Sequence, residues 1–229
     1  MRILAHGRLR SFAGESGRKD YLPHALLSSR DKLKRRLEVT EAAVSMLLYF
    51  ILPLWLAAGF ADYLCHRASN IETTSGYKES LLHLLMFFEV GVPLLAAIFF
   101  EINALVIAIM IIGFIAHQLT SLWDTSFADD KRRVTPLEQQ IHSFLELLPL
   151  AGMLIVIILH WPQFLSIWGF GAETARYRIM LKPDPLPWTY VTAFLAGVLL
   201  FELLPYLEEL VRGLRCRKRS RIAPGDEAS

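Results

Sequence analysis

Residues 79–123 read ESLLHLLMFFEVGVPLLAAIFFEINALVIAIMIIGFIAHQLTSLW, a nearly continuous apolar stretch broken near its middle by Glu101-Ile102-Asn103. One helix of that length would run roughly 65 Å at 1.5 Å per residue, about twice the hydrocarbon thickness of a bilayer. The stretch therefore predicts a hairpin of two spans, about 79–100 and 104–123, turning near Asn103.

Upstream, MLLYFILPLWLAAGF (46–60) lies at the heart of a span from about Glu41 to Tyr63, with Pro53 as a kink that neighbouring helices can accommodate. A polar loop, Arg67 to Lys78, separates it from the hairpin, and Ser75-Gly76 there is a turn signal. Downstream, a hydrophilic loop (124–135) precedes Thr135-Pro136-Leu137-Glu138, a helix start with a capping threonine, proline at the first position and an acid in the first turn. That fourth span reaches about Trp161. A mixed stretch, 162–187, has Trp168 and Trp188 suited to a membrane interface, and a fifth span covers about 188–207. The expected fold is all-α: a polytopic membrane helical bundle of about five spans, four of them forming a metal-binding bundle.

Composition agrees: 54% of the residues are hydrophobic and 20% charged, with a mean hydropathy of +0.38. Basic residues gather at both ends, with Arg30, Lys32, Lys34, Arg35 and Arg36 before the first span and Arg212, Arg215, Arg217, Lys218, Arg219 and Arg221 after the last. Beside membrane spans such clusters meet anionic lipid headgroups, so the bilayer is the expected partner and nucleic acid is not. Three regions result: 1–40, a basic region with an amphipathic surface helix; 41–210, the transmembrane domain; and 211–229, a basic tail. No cleaved signal peptide is read in the first twenty residues, and the expected location is a bacterial inner membrane. The two cysteines, Cys65 and Cys216, form no metal-binding or disulfide spacing.

The polar residues on the spans carry the functional signal. Asp62 and His66 end the first span, and Glu79 and His83 open the second, with Glu89 deeper. His117 and Asp124 close the third, and Glu138, His142 and Glu146 open the fourth. Consecutive spans run antiparallel, so all ten residues fall towards one membrane face. Asp62/His66, Glu79/His83 and Glu138/His142 each set a carboxylate four residues before a histidine, on one helix face a turn apart. Helix-borne carboxylates and histidines of this kind build di-iron and di-manganese sites in soluble four-helix bundles, there as Glu-x-x-His.

Asp62, His66, Glu79, His83, His117, Asp124, Glu138 and His142 are therefore the expected metal ligands. Glu89 and Glu146 are the expected catalytic carboxylates, bridging metals or holding a proton. Ionisable groups at membrane depth cost roughly 2.5–3.5 kcal/mol each at a helix centre on insertion scales, so this many acceptors call for a compensating cation. Lys131, Arg132 and Arg133 read as a solvated loop. Glu202 approaches the same face, and Pro205, Glu208 and Glu209 nearby suggest a fraying helix end as much as a site. His6, His24 and His160 lie away from the cluster.

Nitrogen and oxygen donors without thiolate suit iron, manganese or zinc. Two metal ions fit the ligand count, with iron favoured. The expected function is a membrane di-iron oxidoreductase acting on a lipid or other apolar substrate, with a redox partner. A zinc or manganese hydrolase is the first alternative, and a metal transporter or sensor, or a haem protein, the others. The featureless halves VPLLAAIFF (92–100) and ALVIAIMIIGF (104–114) count against a transport pathway. The clustered HxxxH motifs of membrane desaturases are absent.

Overall fold

The computed structural model describes residues 24–222. The polar stretch 1–23, with His6, and residues 223–229 of the basic tail lie outside the described residues. Eight α-helices follow in order: α1 (His24–Met46), α2 (Leu52–Ser69), α3 (Tyr77–Phe99), α4 (Ala104–Asp129), α5 (Pro136–Leu159), α6 (Trp161–Ile167), α7 (Trp188–Val198) and α8 (Leu204–Ile222). No strand occurs among the described residues. Among the described residues five helical segments are long and apolar enough to cross a membrane: Arg30–Ser69, Tyr77–Phe99, Ala104–Asp129, Pro136–Leu159 and Trp188–Ser220. Large apolar side chains such as Ile112, Leu119, Leu147 and Ile158 point outward along them, as lipid-facing residues do.

The hairpin turns where the sequence is polar. Helix α3 stops at Phe99, and the Asn103 side chain caps α4 by accepting from the Leu105 and Val106 amides at 3.0 and 3.2 Å. Helix α5 opens on a complete capping box, in which Thr135 accepts from the Glu138 amide and Glu138 accepts from the Thr135 amide. Close packing of α3 on α4 depends on Gly113, where a Cβ would lie 2.5 Å from both the Glu89 carbonyl oxygen and Pro93 Cγ.

Two π-helical turns, Leu47–Ile51 and Leu199–Leu203, each precede a proline, Pro53 and Pro205. A proline has no amide hydrogen, and its ring crowds the carbonyl four residues back. Widening the turn before it lets the helix continue. The widened turn before Pro53 leaves the Leu48 carbonyl able to accept from the Tyr190 hydroxyl at 2.7 Å. The same device carries the last helix through Pro205, so that α8 extends to Ile222 rather than fraying.

At one end of the bundle Ile102, Val106, Ile107, Val156 and Ile157 form a buried apolar cluster that ties the start of α4 to the end of α5. Beside it the stretch 169–187 runs without regular structure. It satisfies the hairpin turn: Glu101 donates its amide to Met180, Lys182 donates its own to Phe99, and Asn103 Nδ2 donates to the Arg178 carbonyl. The polar cluster sits at the other end.

Candidate metal centre

Helix α2 delivers Asp62 and His66, α3 delivers Glu79 and His83, α4 delivers Asp124, and α5 delivers Glu138 and His142. The helix ends meet because neighbouring spans are antiparallel. Six of these seven side chains are between 0 and 3% exposed. His142 is partly buried.

They interlock as three groups: Asp62, His66 and His83; His66, Glu138 and His142; and Glu79, His83 and Asp124. Within each group one ligating atom per residue lies within 4.8 Å of the others, the spacing at which a metal ion could be held. His66 and His83 each belong to two groups. Their rings stack at 4.3 Å between centroids with only 7° between planes.

A carboxylate from outside the four expected helices organises this pair. Glu209, on α8 and 1% exposed, accepts from His66 Nδ1 through one oxygen and from His83 Nδ1 through the other, both at 3.1 Å. An ionised carboxylate has no proton to give, so both imidazoles carry hydrogen on Nδ1. Their Nε2 atoms then present lone pairs. His66 Nε2 faces Asp62 and Glu138 oxygens at 3.5 Å without a hydrogen bond, and His83 Nε2 is aligned with an Asp124 oxygen at 3.3 Å, a hydrogen bond if that nitrogen carries a proton.

Lone pair against lone pair at that distance, inside protein, calls for a cation between them: either a second proton on the ring or a metal. Hydrogen bonds account for only part of the set. Asp62 Oδ1, His66 Nε2 and Asp124 Oδ1 are buried and make no aligned hydrogen bond among the described residues. His142 Nε2 lies 3.1 Å from Asp62 Oδ1, yet that contact is misaligned for a hydrogen bond. The arrangement of a carboxylate holding a histidine's far nitrogen is the usual support of a metal ligand. Glu202, Tyr206 and Glu209 follow an i, i+4, i+7 pattern, the one signal in the sequence that puts Glu209 on an inward face.

The loop reading of Arg132 is corrected by the structure. Lys131 and Arg133 are exposed, but the Arg132 side chain is 5% exposed and sits between Glu79 and Glu138. It donates to Glu79 through Nε at 3.3 Å and Nη2 at 2.5 Å. It also donates to Glu138 through Nη1 at 3.0 Å and through Nη2. Burial would lower its pKa, and the hydrogen bonds to Glu138 and Glu79 outweigh that and raise it above its ordinary value. Arg132 is thus a fixed cation closing the outer side of the cluster.

Three expected site residues stand apart from the ligand groups. His117 is buried, and both ring nitrogens lack an aligned side-chain partner. Glu89 accepts from Thr120 Oγ1 at 2.8 Å, and Glu146 accepts from Ser121 Oγ at 2.7 Å. All three lie further into the apolar layer than the pairs. His117 and Glu146 line a cavity of about 360 Å³ together with Asp62, His83 and His142. The rest of its wall is mainly aliphatic and aromatic, including Phe87, Leu95 and Phe194. Glu202, beside Tyr206, reaches it from the second π-turn, its carboxylate pressed against Gly59 where no Cβ would fit. The polar cluster therefore forms one end of a hydrophobic chamber.

Compared with protein-family models, with curated proteins and with solved structures, the chain matches none.

Proposed function

We propose that this protein is an integral membrane metalloenzyme with a two-metal centre at one end of its helical bundle, and that it oxidises a lipid or other apolar substrate. The observation that carries the reading is the set of interlocked, buried ligand groups, in which Asp62 Oδ1, His66 Nε2 and Asp124 Oδ1 converge without a hydrogen-bond partner among the described residues. His66, His83 and His142 supply nitrogen; Asp62, Glu79, Asp124 and Glu138 supply oxygen. This donor set suits iron or manganese. When bound, such a pair supplies a site for activating dioxygen.

The protein's own groups do the rest. Glu209 fixes the tautomer of two ligands. Arg132 balances the carboxylate charge. The cavity admits apolar chains and excludes water around the reacting carbon. Glu146, held by Ser121, is placed on the cavity wall to hold a proton. In the overall reaction one atom of dioxygen enters a substrate C–H bond as a hydroxyl group. The other leaves as water, with two electrons and two protons supplied by a reduced electron carrier.

The test uses full-length protein loaded with iron, placed in lipid nanodiscs, and given a chemical reductant and dioxygen. Lipid extracts read by mass spectrometry should gain one oxygen atom per turnover, and the Glu146→Gln variant should lose at least about a hundredfold in rate, the low end for a positioned acid or base. Reductant consumption with no oxygenated lipid would overturn the oxidative reading. Ester cleavage by a zinc-loaded, colourless sample would replace it with hydrolysis.

A further inference from the structure

A second cavity, of about 170 Å³, lies in the half of the bundle away from the polar cluster. Its wall is apolar apart from His160 and Lys182, at the far end. Leu52, Trp55 and Leu94 line both cavities and so form a wall shared by the two chambers. Placed end to end across that shared wall, the two apolar chambers lie between Lys182 and His83.

Lys182 is an unusual residue to find there. It is partly buried, and its Nζ donates to the Ala97 carbonyl at the end of α3. Among the described residues no carboxylate lies within ion-pair distance of it. The nearby Arg176 is 4.0 Å from Glu101. Burial, and then the positive charges of Lys182 and Arg176, lower the His160 pKa, so both cations act at this end of the second chamber. A half-buried ammonium with a main-chain acceptor and no counter-ion, at the mouth of an apolar chamber, has donors left for an anion.

We infer that the two chambers together bind a single long-chain carboxylate, its head group on Lys182 and its chain running past Trp55 into the chamber beside His83. This rests on the oxidative reading above and names its substrate class. One ammonium matches a monoanion, and two apolar chambers in line, divided only by side chains that a bound chain would displace, match one chain rather than two.

Length gives an independent check. Ala97 and His83 are fourteen residues apart on α3, about 21 Å at 1.5 Å per residue. An extended alkyl chain advances roughly 1.3 Å per carbon, from bonds of about 1.5 Å at the tetrahedral angle. About sixteen carbons therefore place the methyl end against the polar cluster, so oxidation falls near that end.

The test is equilibrium binding of hexadecanoate to the purified full-length chain, with octanoate, methyl hexadecanoate and hexadecyl phosphate as comparisons. Hexadecanoate should bind at least about tenfold more tightly than its methyl ester, the scale of one charge-assisted hydrogen bond. Lys182→Gln should remove that difference while leaving the ester unaffected, and Lys182→Arg should restore most of it. Leu94→Trp, which narrows the shared wall, should weaken hexadecanoate but spare octanoate. A diazirine at the methyl end should label Phe87 or Tyr206.

Equal binding of acid and ester, or labelling near Lys182, would overturn the inference; tighter binding of the phosphate would reassign the site to a phosphate head group. Metal content is measured on the same samples. Full binding in a protein that takes up no metal would leave the head-group site standing and remove the oxidative reading. A metal-loaded protein indifferent to Lys182→Gln would do the reverse.

Discussion

Alanine at His83 is expected to lower bound metal to about a tenth of the wild-type content or less, with the helical content retained. Substituting outer partners of a metal ligand costs 10–100-fold in affinity, and loss of a ligand shared between two groups should reach at least the upper end of that range. His83 contributes to two of the three ligand groups. Its removal also frees one Glu209 oxygen from its only imidazole.

Glu209→Gln gives the finer comparison. A glutamine side chain keeps one acceptor and presents an amide donor to the other ring, which forces that histidine to accept on Nδ1 and to carry its proton on Nε2. The metal loss should then be partial, within the 10–100-fold range. Elemental analysis and circular dichroism on the same samples separate loss of metal from loss of fold. Full metal retention in His83→Ala would remove that residue from the centre.

Arg132→Met is expected to destabilise the metal-free protein by about 3–5 kcal/mol, the range for removing one partner of a buried ion pair. The guanidinium is the only cation touching either Glu79 or Glu138 in the described structure, apart from the histidines, and both carboxylates are 1% exposed. Methionine fills a similar volume and carries no charge, so the two acids face each other uncompensated. In the metal-loaded protein a bound cation supplies the missing charge, and the deficit should shrink. Thermal unfolding in detergent, with and without metal, measures both. An equal deficit in the two states would mean that Glu79 and Glu138 do not share their charge with a metal.

The fold was readable because its signals are local. The length of 79–123 forces a hairpin, Asn103 and Thr135 mark helix starts, and antiparallel order puts the pairs at one end. Depth was harder. His117 is seven residues before Asp124 on the same helix face, and thus about 10 Å deeper at 1.5 Å per residue. Glu89 lies about 9 Å beyond His83 and Glu146 about 6 Å beyond His142 by the same rise. Shared topology assigns a face but not a level, which is why these three line or flank the chamber rather than join the ligand groups.

Arg132 and Glu209 were misplaced for a different reason. Arg132 stands between two other cations in a short hydrophilic loop, and its burial depends on Glu79, 53 residues away in sequence. Glu209 follows Pro205 beyond the apolar run, where helices usually end. The π-turn at Leu199–Leu203 lets the chain pass that proline, bringing a fifth helix to a centre that the sequence spacing builds from four.

Elemental analysis of the purified full-length chain, after loading in turn with iron, manganese and zinc, is the most direct test of the central claim. Two metal ions per chain, with X-ray absorption showing only nitrogen and oxygen neighbours, is the predicted result. A folded protein that retains no metal under any of the three conditions would contradict it, leaving protonated imidazolium rings as the cations among these carboxylates.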